Sequence, residues 1–281
     1  MRKQLLYYLM PIVKLVVFII CVIVCSLPVG ALQWIPGIKD LDEVYTMIIT
    51  EPLLMISIFA ALFFMTKIYK PTTISSFFLS KKNAFKEVLS GTLMGMIILL
   101  VCGGLLLLQG FVVFSPGKIS LAFFLFYILY FLIVAVFEEL FSRTYQLFVL
   151  AETYPIAIAV VVNGLIFGLL HSLNPGFTAL ALINISLAGM LFSLFTLYHR
   201  SINWAIGMHL GWNFTQGILL GYKVSGSDTP GVLVAKPIGE NYFSGGTFGV
   251  EGSLSCTLVL ILLIIYLAFK FTIKPLKQHV L

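Results

Sequence analysis

Residues 119–150 read ISLAFFLFYILYFLIVAVFEELFSRTYQLFVL, an apolar run whose only charged residues are Glu138, Glu139 and Arg143. A spanning helix needs about 20 mostly apolar residues, so this run is long enough to cross a bilayer and carries its charges inside. Seven further stretches qualify on the same grounds: 15–33, 46–66, 88–109, 155–173, 177–198, 202–221 and 254–273. The whole chain of 281 residues is 60% apolar, 14% aromatic and only 10% charged. A soluble domain carries about 25% charged residues, so a water-facing surface cannot be covered here. The expected fold is all-α: a polytopic membrane protein of about eight transmembrane helices, embedded in the lipid bilayer.

Composition also excludes classes. The net charge of +6, from 17 basic and 11 acidic residues, does not point to nucleic acid, because basic residues collect on the cytoplasmic side of membrane proteins. Cys21, Cys25, Cys102 and Cys256 lie in or beside apolar runs with no Cys-x-x-Cys pair, and read as small buried apolar residues rather than a disulfide framework. Arg2 and Lys3 precede an apolar run, as in a signal peptide, but the run is too long and Lys14 sits against it. A retained first helix is expected. The chain divides into 1–118 with the first three helices, a core at 119–253, and a last helix with a basic tail at 254–281. The connection 222–253, rich in Gly and Ser, reads as an ordered loop.

Charge sets the orientation. If eight helices alternate, Arg2, Lys3, Lys14, Lys67, Lys70, Lys81, Lys82, Lys86, Arg200, Lys270, Lys274 and Lys277 share one side. Only Lys39, Lys118, Lys223 and Lys236 fall on the other, which makes both termini cytoplasmic. Asp40, Asp42, Glu43, Glu51, Asp228, Glu240 and Glu251 are then external.

Glu138, Glu139, Arg143, His171 and His209 remain inside apolar segments with no role in solubility. Such groups cost roughly 2.5–3.5 kcal/mol each on insertion scales and mark functional sites by default; the bland reading is a buried ion pair locking helices together. Glu139 and Arg143 are four residues apart and share a helix face. Glu138 is rotated by about 100° from Glu139, so both acids cannot point at Arg143, and Glu138 is free to face a cavity. A carboxylate balanced between desolvation and nearby cationic charge suits a general base that activates water. Glu138 is the candidate for that role, and Glu139 for the orienting pair. His209 and Asn213 repeat the four-residue spacing and can donate toward an oxyanion, or simply glue helices. Phe167 and His171 also share a face, with Phe167 read as packing. Gly91 and Gly95, Gly164 and Gly168, and Gly207 and Gly211 have the small-xxx-small spacing of closely approaching helices.

Glu138, Glu139, His171 and His209 could also bind zinc, which takes three His or Glu ligands plus water at hydrolytic sites. No His-Glu-x-x-His motif is present. Glu138, His171 and His209 are the candidate ligands if a metal is bound. Without metal, Glu138 and His171 share the water, and His209 with Asn213 donates. Both arrangements stand at this point.

Glu-Glu-x-x-x-Arg at 138–143, Phe-x-x-x-His at 167–171 and His-x-x-x-Asn at 209–213, in this order on successive membrane helices, resemble the CPBP family of CAAX-processing and bacteriocin-processing intramembrane proteases, also called the Abi family. The resemblance covers roughly 120–252, and the glycine-rich stretch 221–252 is similar to bacterial members. It implies an endopeptidase acting on membrane-associated peptides or proteins. By position, Glu138 activates water with His171, Glu139 and Arg143 support it, and His209 with Asn213 steadies the oxyanion. Short loops and the lack of an organellar presequence imply a plasma-membrane protein of a bacterium, where related proteins are linked to peptide processing and bacteriocin immunity. A non-catalytic immunity or scaffold protein that binds a peptide is the alternative, and a transporter a third. Counting 1.5 Å per residue from the expected cytoplasmic ends puts Glu138 about 20 Å deep, His171 about 24 Å and His209 about 10 Å. Oligomeric state is not readable from the sequence.

Overall fold

The computed structural model describes residues 2–69, 73–274 and 276; Lys70 and Lys277 of the orientation argument lie outside the described residues. All eight apolar stretches are helical. Helix α1 spans Arg2–Gly30, α2 Glu43–Ile68 and α3 Ala84–Leu108. Helix α4, Leu121–Phe141, continues through a π-helical turn, Ser142–Gln146, into α5, Leu147–Thr153. Then come α6, Ile156–Leu170; α7, Ala179–His199; and α8, Asn203–Asn213, which also ends in a π turn, Phe214–Leu219. A four-residue helix α9, Asn241–Ser244, precedes α10, Leu254–Lys270. Among the described residues, five helical segments are long and apolar enough to cross a membrane, while α6 and α10 are shorter apolar helices.

Several expectations are corrected. The first helix starts at Arg2, not near residue 15, because the segment before Lys14 is itself apolar and helix-forming. Lys14 is therefore inside α1, where it pairs with Glu152 of α5 at 3.7 Å. Residues 119–150 are not one regular α-helix, since the π turn inserts just past the acidic pair. The four cysteines are free; Cys102 and Cys256 are buried, but Cys21 and Cys25 are only half-buried. The connection between α8 and α10 is ordered and not wholly helical. Its strand β2, Leu233–Pro237, pairs antiparallel with β1, Val112–Pro116, in the register Val112↔Pro237 to Pro116↔Leu233.

Two glycine seams set the bundle. On α3 and α8, a Cβ at Gly91 would strike the Trp204 carbonyl, one at Gly95 the Met208 carbonyl, one at Gly207 the Val88 carbonyl and one at Gly211 the Thr92 carbonyl. The two backbones therefore touch in a way that only glycine permits. On α6 and α7, a Cβ at Gly164 would lie 2.6 Å from the Ser186 carbonyl, and one at Gly189 3.1 Å from the Gly164 Cα. The first seam carries His209 into the bundle, and the second sets the Gly189 carbonyl beside α4.

The three side chains expected at different depths meet: His171 and His209 both approach Glu138. Helix α8 does not start level with Ala151. The Ile202 amide donates to the Phe78 carbonyl (3.1 Å), and Phe78 packs edge-on against Phe148, about one turn further in. His171 lies past the end of α6, in a turn rather than along a spanning helix.

The α3–α8 seam predicts that Gly95→Val lowers stability by about 1–3 kcal/mol, as overpacking does. Gly104→Ala, on the same helix but with nothing within 4 Å of its Cβ position, leaves stability unchanged or raised. Thermal unfolding of both variants in detergent checks the contrast.

Candidate active site

The helix register separates the two acids. Glu139 turns inward and is fully buried with Arg143, one turn on, at 3.2 Å between Oε2 and Nε. A guanidinium in an apolar bundle needs a counter-charge and further partners. Arg143 donates from Nη2 to the Gly189 carbonyl at 3.3 Å and lies over the Phe167 ring at 4.1 Å. The surrounding π turn is held by Asn163, whose amide donates to the Ser142 carbonyl (2.8 Å) and accepts from Ser193 Oγ (2.8 Å). A π turn widens the helix by one residue and recurs at functional sites.

Both histidines turn one nitrogen toward Glu138. His171 Nδ1 is 2.9 Å from the Phe167 carbonyl; a carbonyl only accepts, so Nδ1 carries the hydrogen and Nε2 faces Glu138 Oε2 at 3.5 Å. His209 Nδ1 donates to Glu139 Oε1 at 3.0 Å, leaving Nε2 4.0 Å from Glu138 Oε2. Phe192 stacks on His209, and Phe167 sits edge-on to both imidazoles. Phe167 thus separates Arg143 from the histidines as well as packing, a role that its spacing from His171 alone does not disclose.

Glu138 opens on a cavity of about 840 Å³ that also reaches His171, His209 and Asn213. One wall is apolar and aromatic, with Ile58, Tyr127, Phe131 and Val134; the other is polar, with Ser225, Asp228 and Glu251. Glu138 Oε2 is buried and accepts no hydrogen bond from the described residues. A buried orphan acceptor beside a polar cavity is satisfied by water or a bound ligand. Asn213 is buried on the same helix face as His209, and its amide makes no hydrogen bond among the described residues. All six candidates, Glu138, Glu139, Arg143, His171, His209 and Asn213, converge on this one place.

Two of the acids placed on the external side by the charge pattern are buried within the protein. Glu251 is buried and accepts from Trp212 and Gln216 of the α8 segment and from Ser225. Glu51 is buried in α2, with Oε2 lacking a hydrogen-bond partner among the described residues. It shares a helix face with Met47, Leu54 and Ile58, which line the cavity. Its position inside the stretch 46–66 is the signal that marks it; Glu251 gives no comparable signal, lying in a polar loop.

Each imidazole has its Nδ1 engaged and its Nε2 free, a pattern found at metal sites. Yet among the described residues no group of three or more His, Cys, Asp or Glu side chains is arranged to hold a metal ion. The described residues as placed do not form a metal cage.

Helical membrane architecture with a buried acid–histidine centre open to a cavity defines an intramembrane protein built for polar chemistry. Residues 120–215 match the Rce1-like family, described as type II CAAX prenyl endopeptidase Rce1-like. This segment, about a third of the chain, runs from the head of α4 into the π turn after α8 and holds all six site residues. No curated protein and no solved structure matches the chain.

Removing Arg143 leaves Glu139 as an uncompensated buried charge. Arg143→Leu is expected to lower stability by about 3–5 kcal/mol. Adding Glu139→Gln to it restores part of that loss, because the two residues are coupled. A double-mutant cycle followed by thermal unfolding checks both.

Proposed function

We propose that this chain is an intramembrane endopeptidase that hydrolyses peptide bonds of membrane-associated peptides or proteins, with Glu138 as the general base. The observation that carries the reading is the orphan Glu138 Oε2 within 3.5 Å of His171 Nε2, at the wall of a cavity large enough for a peptide segment. Water held between Glu138 and His171 loses a proton to the Glu138 carboxylate as its oxygen attacks the scissile carbonyl carbon. The carbonyl oxygen becomes an oxyanion, to which the Asn213 amide donates. His209 donates to it from Nε2 when protonated. Collapse of the tetrahedral intermediate breaks the C–N bond. The proton taken up by Glu138 passes to the leaving nitrogen, directly or through His171.

The apolar wall fits a lipid-facing stretch of substrate beside the polar reaction centre. The prenyl group named in the family description belongs to that family's substrates; the reading for this chain is a membrane-associated peptide without a required lipid. Short connections between helices support a bacterial plasma-membrane protein with cytoplasmic termini.

Wild type and Glu138→Gln, purified in detergent, are compared on a library of membrane peptides while bound zinc is quantified. The expected result is a fall in kcat of about 100- to 10,000-fold with unchanged thermal stability. Retained cleavage in Glu138→Gln contradicts the reading. The same assay on Asn213→Leu is expected to lower kcat by about 100- to 1,000-fold with little change in KM; an unaltered kcat removes Asn213 from the oxyanion site.

A further inference from the structure

His171 is held differently from the other site residues. Glu138, Glu139, Arg143, His209 and Asn213 all sit within helices, whereas His171 follows the last residue of α6 and begins the loop 171–177. Its position therefore depends on whatever fixes that loop. Within it, the Asn174 amide nitrogen donates to the His171 carbonyl at 3.0 Å, while the Asn174 side chain reaches across to the Ser225 carbonyl at 3.1 Å.

Ser225 and Gly226 are the tip of a two-residue hairpin. Val224 and Ser227 exchange two backbone hydrogen bonds, each 2.9 Å. Both tip residues have positive φ, +47° at Ser225 and +88° at Gly226, as this turn type requires. The conformation is unfavourable for serine, so something must hold it. Glu251 Oε2 accepts from the Ser225 amide (2.8 Å), from Ser225 Oγ (2.9 Å) and from Gln216 Nε2 (3.0 Å), while Oε1 accepts from Trp212 Nε1 (3.1 Å). The tip is pressed so closely on the His171 loop that a Cβ at Gly226 would strike the Pro175 carbonyl.

From this chain of contacts we propose that Glu251 is a positioning residue of the reaction. Its buried carboxylate ties the Ser225–Gly226 turn to α8, and the turn in turn braces the loop that carries His171, fixing that imidazole opposite Glu138. Trp212 is adjacent to Asn213, and Gln216 lies in the π turn after it. One carboxylate thus sets the loop histidine against the helix that holds His209 and Asn213. The proposal rests on the hydrolase reading above, but its geometric half is measured without turnover.

The experiment compares wild type, Glu251→Gln and Gly226→Ala, each labelled with ¹⁵N-histidine in detergent. The chain has four histidines, and the His171 imidazole signals are assigned from the spectrum of His171→Asn. Gln in place of Glu251 puts an N–H₂ group against donors that need acceptors. The expected result is that the His171 signals move while those of His199 do not, and that kcat for the cleaved library peptide falls about 100-fold, as small misplacements of catalytic groups do, with little change in KM. If Glu251→Gln yields too little folded protein, Gly226→Ala displaces the same turn with the carboxylate intact, and the same two readouts decide. A lower melting temperature with unmoved His171 signals makes Glu251 structural only and overturns the proposal; so does an unchanged kcat. Retained cleavage in Glu138→Gln is a separate result that removes the hydrolase reading itself.

Discussion

The Glu139–Arg143 pair, with both side chains wholly removed from solvent, is the constraint around which the bundle is arranged. A buried ion pair adds little net stability, because desolvation offsets most of the attraction, but once present it dictates its surroundings. Arg143 needs an acceptor beyond Glu139 and a face for its guanidinium. The Gly189 carbonyl and the Phe167 ring supply these, and they come within reach only because Gly164 and Gly189 let α6 and α7 touch. The second oxygen of Glu139 takes His209, which α8 delivers through its own glycine seam with α3. Glu138, one residue earlier and rotated away, is the acid left facing the cavity.

Irregular backbone follows from the same demand. The π turn at 142–146 swells the helix where Arg143 must fit, and Asn163 takes up the Ser142 carbonyl there. A second π turn follows Asn213, and Gln216 within it reaches Glu251. Rigid helices thus hold five of the six site residues, while the sixth, His171, relies on a loop braced from the far side of the cavity. The polar half of the cavity is built by that loop and by the 223–229 segment; the apolar half comes from α2 and α4.

Much of this was legible in the sequence, for identifiable reasons. Apolar runs near the length of a bilayer crossing located all eight helical stretches. The four-residue spacing of Glu139 and Arg143, and the single-residue offset of Glu138, separated the buried pair from the cavity-facing acid, because α-helical rotation fixes both. Position along a run was less informative. The π turn has no periodic signature, so residues 119–150 read as continuous. Helix ends are staggered, so counting residues from assumed membrane edges misplaced His209 relative to Glu138. Glu251 lies in a polar, glycine-rich loop and looks solvent-exposed until the chain folds back across the cavity. Glu51 was readable, since it lies within an apolar stretch.

The central claim is a division of labour between adjacent acids, Glu139 holding the bundle together and Glu138 left for chemistry. The most direct measurement is the melting temperature of Glu138→Gln beside that of Glu139→Gln, both in the detergent used for wild type. The account predicts that Glu138→Gln melts at or above the wild-type temperature, since its carboxylate faces the cavity and accepts no hydrogen bond at Oε2 among the described residues. Glu139→Gln melts well below it, because Arg143 loses its buried counter-charge. Equal melting temperatures, or a larger loss in Glu138→Gln, would contradict the account.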